Sequence, residues 1–261
     1  MIGGQTLHPQ IGCPGESIVG MKRFLLVPVL FAASTLVLVD LVGLAAVFRT
    51  SRRLSGFSID NRHYIYLESS RNSVTEIPLA QIQIIDVANN ACVRNGCLKT
   101  DYTQDQANLS NKAAEDELLQ RTASIRQSLR LNQLKVGLPL PIISRKTSPD
   151  RSETVQVRVS TQTQPMQILL QQRYLSPIDP GGEFTVDRAS MRLVINYNNS
   201  RLTIGDLNNY RDAVQKYSIR EVRLSPDRRN IVVLIDMTQP TYEGVVQTTF
   251  VQSFPIYRVG I

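Results

Sequence analysis

Over short stretches along most of the chain, apolar residues recur at every second position, the period of strands with one face on a core. Val155, Val157 and Val159 alternating with Gln156 and Arg158 are the clearest case. Ordered structure is predicted from Leu54 to Phe57 onward. Further strands are predicted over 63–68, where both faces are apolar, and over 80–88, which carries Ile82, Ile84, Ile85 and Val87. Others are predicted over 166–174, 183–186, 192–197, 201–204, 220–224, 230–237 and 247–257. Pro177 and Pro180 end the 166–174 strand, Gly181-Gly182 makes a turn, and 206–216 reads as one short helix. The stretches 71–78 and 100–108 are polar loops, and 144–151 is a loop or a linker between two halves. Short strands at these intervals pair antiparallel, because parallel pairing needs long crossovers.

One segment, near 111–132, follows the helical period instead. Ser110 or Asn111 can cap it, and Glu115, Asp116 and Glu117 suit the dipole of its first turns. Ala114, Leu118, Thr122, Ile125 and Leu129 form one apolar stripe to lay on a sheet, and Gly137 and Pro139 stop the helix. The fold class expected is mainly β: antiparallel sheets, sandwich-like or partial propeller-like, with this one amphipathic helix.

A weak repeat marks two turns. Ser58, Asp60 and Arg62 precede one strand, and Ser225, Asp227 and Arg229 precede another, each set following an apolar residue. Ser and Asp side chains satisfy turn backbone groups there, so these acids need no catalytic role. The turns look like those of β-propeller blades, but a whole propeller needs at least four blades of about 40 residues.

The start of the chain reads as an address. Met21-Lys22-Arg23 precedes the apolar run 24–39, the form of a signal peptide over 21–45 with a cut before Ala46. Residues 1–20 fit poorly before it and read as an over-extended frame. The rival is an uncleaved anchor, since 24–48 is long enough to span a bilayer. Asp40 opposes that reading at a cost of up to about 2.5–3.5 kcal/mol, less for its off-centre place. Arg49, Arg52 and Arg53 then trouble export under either reading. Residues 46–261 remain as an extracytoplasmic domain, periplasmic or secreted, with halves that would meet near 144–151.

Cysteine use agrees with export. Cys13 leaves with the leader, and Cys92 and Cys97 bracket an Asn95-Gly96 turn signal. Strands paired across such a turn bring opposed Cα atoms to about 4.5 Å, within disulfide range, and closing so short a loop contributes about 2 kcal/mol. Reduced thiols or a redox pair are the alternatives, although a redox pair usually has two intervening residues.

The formal charge of +7 reads first as a solvated basic surface. The sharper reading is a polyanion patch, best placed at Arg220, Arg223, Arg228 and Arg229. No aromatic platform is interleaved there, so no nucleic acid is expected.

The sets Gly56-Phe57-Ser58-x-Asp60, Ile84-Ile85-Asp86-Val87, Asn90-Ala91-Cys92-Val93 and Gly96-Cys97 resemble a bacterial, cyanobacterial-type family of uncharacterised, predicted secreted proteins. The resemblance is densest over 54–98 and thinner through the helix and the C-terminal strands. Asp60-Asn61 stands where many members have Asp-Gly, and 69–78 departs from a Gly-rich stretch. The resemblance implies export and brings no activity, substrate or cofactor.

After processing, His63 is the one histidine, there is no phosphate loop or dinucleotide fingerprint, and no cofactor or metal is expected. The function expected is a non-catalytic binding or structural module of the cell envelope, with an envelope protein or anionic polymer as partner. Membrane contact would run only through the N-terminal segment. The alternative is an envelope hydrolase using paired carboxylates, which need no fixed sequence spacing.

Overall fold

The computed structural model describes residues 46–72, 74–178, 186–241 and 244–259. The leader or anchor segment, the 1–20 stretch and the Gly181-Gly182 turn lie outside the described residues. No helix among the described residues is long and apolar enough to cross a membrane.

In chain order the elements begin with β1 (Ala46–Arg49), β2 (Ser51–Phe57), β3 (His63–Arg71), β4 (Pro78–Asp86) and β5 (Ala91–Lys99). The helices α1 (Asn111–Arg121) and α2 (Ala123–Ser128) follow, then β6 (Leu138–Leu140), β7 (Ile142–Thr147), β8 (Glu153–Val157) and β9 (Met166–Ile178). The remainder is β10 (Val186–Tyr197), β11 (Ser200–Gly205), β12 (Arg211–Asp212), β13 (Lys216–Leu224), β14 (Asn230–Thr241) and β15 (Gly244–Pro255). They build three sheets. A four-stranded sheet has the order β2-β3-β4-β5, and a central five-stranded sheet has the order β1-β15-β14-β13-β6. A six-stranded sheet runs β11-β10-β9-β8-β7, with β12 also on β10. Pairing is antiparallel except between β1 and β15. The protein is therefore mainly β with antiparallel sheets.

The sheets stack face on face, and α1 covers the outer face of the four-stranded one. Strand β14 shows why. Ile231, Val233 and Ile235 pack toward the six-stranded sheet, while Val232 and Leu234 pack toward Phe57, Tyr64 and Tyr66 of the four-stranded sheet. Strand β3 repeats the arrangement: Tyr64 and Tyr66 face the central sheet, and Ile65 and Leu67 face Ala114 and Leu118 of α1. Strands covered on both faces carry continuous apolar runs, and each fully buried aliphatic side chain stabilises by about 1.5–3 kcal/mol.

The helical segment comes as two pieces. Ser110 caps α1 by accepting from the Ala113 N–H at 3.1 Å. Thr122, fully buried, turns its hydroxyl onto the Leu118 carbonyl at 2.7 Å, and the helix breaks there. The helix stops at Arg130, in the left-handed region at φ 54°, well before Gly137. Gly137 instead allows a close approach of two strands, since a Cβ there would lie 2.5 Å from the Phe57 ring and 2.7 Å from the Leu224 carbonyl. The short helix expected over 206–216 is absent. Asp206 closes an Asx turn onto the Asn208 N–H, and Arg211–Asp212 pairs with β10 instead. Residues 144–147, expected in a loop or linker, belong to β7 and pair with β8.

The cysteine pair also sits differently from a hairpin end. Cys92 and Cys97 both lie on β5, opposite Ile85 and Gln83 of β4, so 93–96 is an excursion of one edge strand. Asn95 adopts φ 58° in that excursion. The disulfide closes its neck with Cα atoms 5.8 Å apart.

The two repeated turns are alike bond for bond. Ser58 donates to Asp60 at 2.6 Å and accepts from the His63 N–H at 3.0 Å, and Asp60 accepts from the Arg62 N–H at 3.2 Å. Ser225, Asp227, Arg229 and Asn230 make the same three bonds. Position four of each turn is left-handed, Asn61 at φ 60° and Arg228 at φ 60°. Asn tolerates that region and Arg does not, so Arg228→Asn is expected to stabilise the protein by about 0.5–1 kcal/mol. Urea unfolding checks this, and a lower midpoint would mean that the Arg228 side chain has a contact of its own to lose.

Candidate functional site

Strand β6 covers β13 only along Val222–Leu224, which leaves the edge of β13 at 216–221 without a strand neighbour. Side chains from the six-stranded sheet close it. Gln172 accepts from the Tyr217 N–H at 2.7 Å and donates to the Tyr217 carbonyl at 3.0 Å, as a peptide of a neighbouring strand would. Two residues on, Glu153 accepts from the Ile219 N–H at 3.0 Å and Arg145 donates to the Ile219 carbonyl at 2.8 Å. Arg145 and Glu153 are themselves an ion pair.

Above this seam a polar cleft of about 420 Å³ opens between the central sheet and the β7–β8 hairpin. Five cations line it: Arg49 on β1, Arg145 on β7, Arg151 in the β7–β8 turn, and Lys216 and Arg220 on β13. Among the described residues two acids do, Glu153 and Asp236. Each is held by an arginine, Glu153 by Arg145 and Asp236 by Arg220. Burial raises the carboxyl of Asp236, and the attraction of Arg220 and Arg49 only partly offsets that. Arg49, Arg151 and Lys216 have no carboxylate partner among the described residues. Arg151 lies over the Tyr174 ring, 4.8 Å from its centroid, a cation–π contact that holds its guanidinium at the cleft wall. Thr147, Ser218 and Gln247 supply hydroxyls and an amide.

Arg220 reaches the cleft because β13 bulges between Ile219 and Glu221. The bulge turns it away from the core shared with the six-stranded sheet, so that it also donates to the Tyr66 hydroxyl at 3.0 Å. Burial pushes the Tyr66 phenol up to about 12, and its neutral hydroxyl accepts from both Arg220 and Thr249.

Of the four arginines singled out from sequence, only Arg220 lines this cleft. Arg223 pairs with Glu221 and donates to the Gly137 carbonyl at 3.3 Å. Arg228 and Arg229 lie in the exposed turn before β14. Sequence reasoning missed Arg49, Arg145, Arg151 and Lys216, which come from three separated segments, Arg145 and Arg151 sharing the β7–β8 hairpin. Asp60 and Asp227 are committed to their turns, and Glu68 is buried at the edge of β15. Among the described residues no group of three or more His, Cys, Asp or Glu is placed to hold a metal ion.

A family model described as predicted secreted protein, DUF2259, matches residues 71–252. The chain belongs to this family. The DUF2259 match takes in the helices, the C-terminal strands and every cleft residue except Arg49, so it reaches well beyond the segment where the resemblance looked densest. Residues 54–70, part of that dense segment, fall outside it. No curated protein matches the chain.

Proposed function

We propose that this DUF2259 protein is an exported, non-catalytic binding module of the bacterial envelope, and that its ligand is anionic and sits in the cleft beside β13. One observation carries the reading: both cleft carboxylates are tied to arginines, while Arg49, Arg151 and Lys216 face the same space without an acid. Such a set can hold an anion but offers no free base to activate water. The predicted secreted family and the closed cysteine pair support an extracytoplasmic site. Whether the protein is released or held at the inner membrane depends on whether the leader is cut. A hydrolase using Asp236 and Glu153 is the second reading, favoured only by the raised carboxyl of Asp236.

Retention of the full chain on immobilised heparin separates the two. Asp236→Asn removes an acid from a basic cleft, so it is expected to elute at higher salt, and Arg151→Gln at lower salt. A hydrolase requires Asp236→Asn to abolish turnover of a bound polymer. Elution of both variants with the native protein would overturn the proposed site.

A further inference from the structure

Resting on that reading, we infer that the cleft takes a ligand carrying two or more phosphate groups. A single small anion needs one or two cationic partners, whereas here Arg49, Arg151 and Lys216 all lack a carboxylate partner among the described residues, with Arg220 close behind on its bulge. Neutralising them in a cleft of about 420 Å³ takes several negative charges spread over more than one group. The donors also come from separate elements: β1, the β7–β8 turn, β13 and, through Gln247, β15. A phosphate carries one charge and two free oxygens as a diester, and nearly two charges and three free oxygens as a monoester, in both cases about a tetrahedral centre. It can therefore accept from donors arriving in several directions, whereas the acceptors of a carboxylate share one plane with its ideal partner, a guanidinium fork. Arg151, held against the Tyr174 ring and without a carboxylate partner among the described residues, is the natural first contact. The Oε1 of Gln247 is buried without a hydrogen-bond partner and can accept from a ligand hydroxyl. The polar lining, with Thr147 and Ser218 beside it, suits a hydrophilic ligand such as a phosphorylated polyol or the head group of a lipid bearing two phosphates.

Titration calorimetry on the full chain at fixed ionic strength tests this with tripolyphosphate, inorganic phosphate and citrate, and vesicle flotation with phosphatidylcholine with and without cardiolipin gives the lipid arm. Tripolyphosphate is expected to bind about tenfold or more tighter than either small anion. The double variant Arg151→Gln, Lys216→Gln should lose about tenfold or more, with an unchanged melting temperature. The double variant Arg228→Gln, Arg229→Gln removes the same charge elsewhere and should bind as the native protein does. Cardiolipin-dependent flotation lost in the first double variant would make the source a lipid, and soluble binding alone would make it a free oligophosphate. Either result supports the inference. Citrate binding as well as tripolyphosphate, in a manner that needs Arg151 and Lys216, would overturn the phosphate assignment and leave the cleft as a binding site. Equal losses in the two double variants would overturn both the assignment and the site.

Discussion

Glu68→Ala should destabilise the protein by about 3 kcal/mol, because it leaves a buried backbone N–H on β15 without an acceptor. Strand β1 pairs with β15 only as far as Gln247, so beyond it the outer edge of β15 has no strand beside it. Glu68, fully buried on β3, accepts from the Thr249 N–H at 2.6 Å and from the Thr249 hydroxyl at 2.7 Å. Gln83 continues the line, donating to the Thr249 carbonyl at 2.6 Å and accepting from the Val251 N–H at 3.1 Å, and Asn90 takes the Ser253 N–H at 2.7 Å. Of the groups bonded to Glu68, the hydroxyls of Thr50 and Thr249 and the amide of Gln81 each keep a second partner. The Thr249 N–H does not. Glu68→Gln keeps an oxygen for that N–H and should recover about half of the loss or more. Denaturant unfolding of the three proteins decides it. Glu68→Ala within about 1 kcal/mol of native would mean that water replaces the carboxylate and that the edge is not locked.

Much of the stack was legible because strands buried on both faces write continuous apolar runs, as at Ile231 to Ile235. The locks were not legible as such. Glu68, Gln83, Glu153 and Gln172 are polar residues inside strands, and alternation alone assigns them to solvent. Nothing local to their strands sets them apart, because the backbone groups they serve lie as far as 181 residues away in sequence. The cleft failed to show for a related reason. Its cations arrive one or two at a time from separate strands, whereas the run from Arg220 to Arg229 stands out in the sequence and is divided by a turn in the fold. The helix was legible from its cap and stripe. Its break was not, because Thr122 fits the apolar stripe in period while its hydroxyl competes for the Leu118 carbonyl.

The weak repeat proved to be more than two similar turns. Each turn is preceded by a bulge, at Arg53 between Arg52 and Leu54 and at Arg220 between Ile219 and Glu221. Each is closed by a later strand returning to it, the Val87 N–H onto the Arg62 carbonyl and the Ile256 N–H onto the Arg229 carbonyl. The same three-strand meander thus serves twice. In the first, the bulge arginine ties the sheet to Glu115 and Asp116 of α1. In the second it ties Asp236 and stands in the cleft. A structural device in one copy has become part of the candidate site in the other.

The lock on the opposite edge of the central sheet should show in two measurements at once. Gln172 uses its whole amide: besides the two bonds to Tyr217, it accepts from the Tyr174 hydroxyl at 2.6 Å and donates to the Arg151 carbonyl at 2.7 Å. Gln172→Ala strands both backbone groups of Tyr217 beneath the cleft, an expected loss of about 2–4 kcal/mol. Gln172→Glu keeps the size but cannot donate, and sets a carboxylate against the Tyr217 and Arg151 carbonyls, so it should be no better than alanine. This contrasts with Glu68, where the isosteric exchange rescues. Freed of its lock, β13 presents an unpaired edge to other chains, so both Gln172 variants should also form oligomers at concentrations where the native protein does not. Urea unfolding and light scattering read the two effects. If Gln172→Glu matches the native protein in both, the Tyr217 carbonyl is served by solvent, and the seam beneath Arg151 is open to water rather than closed by the amide.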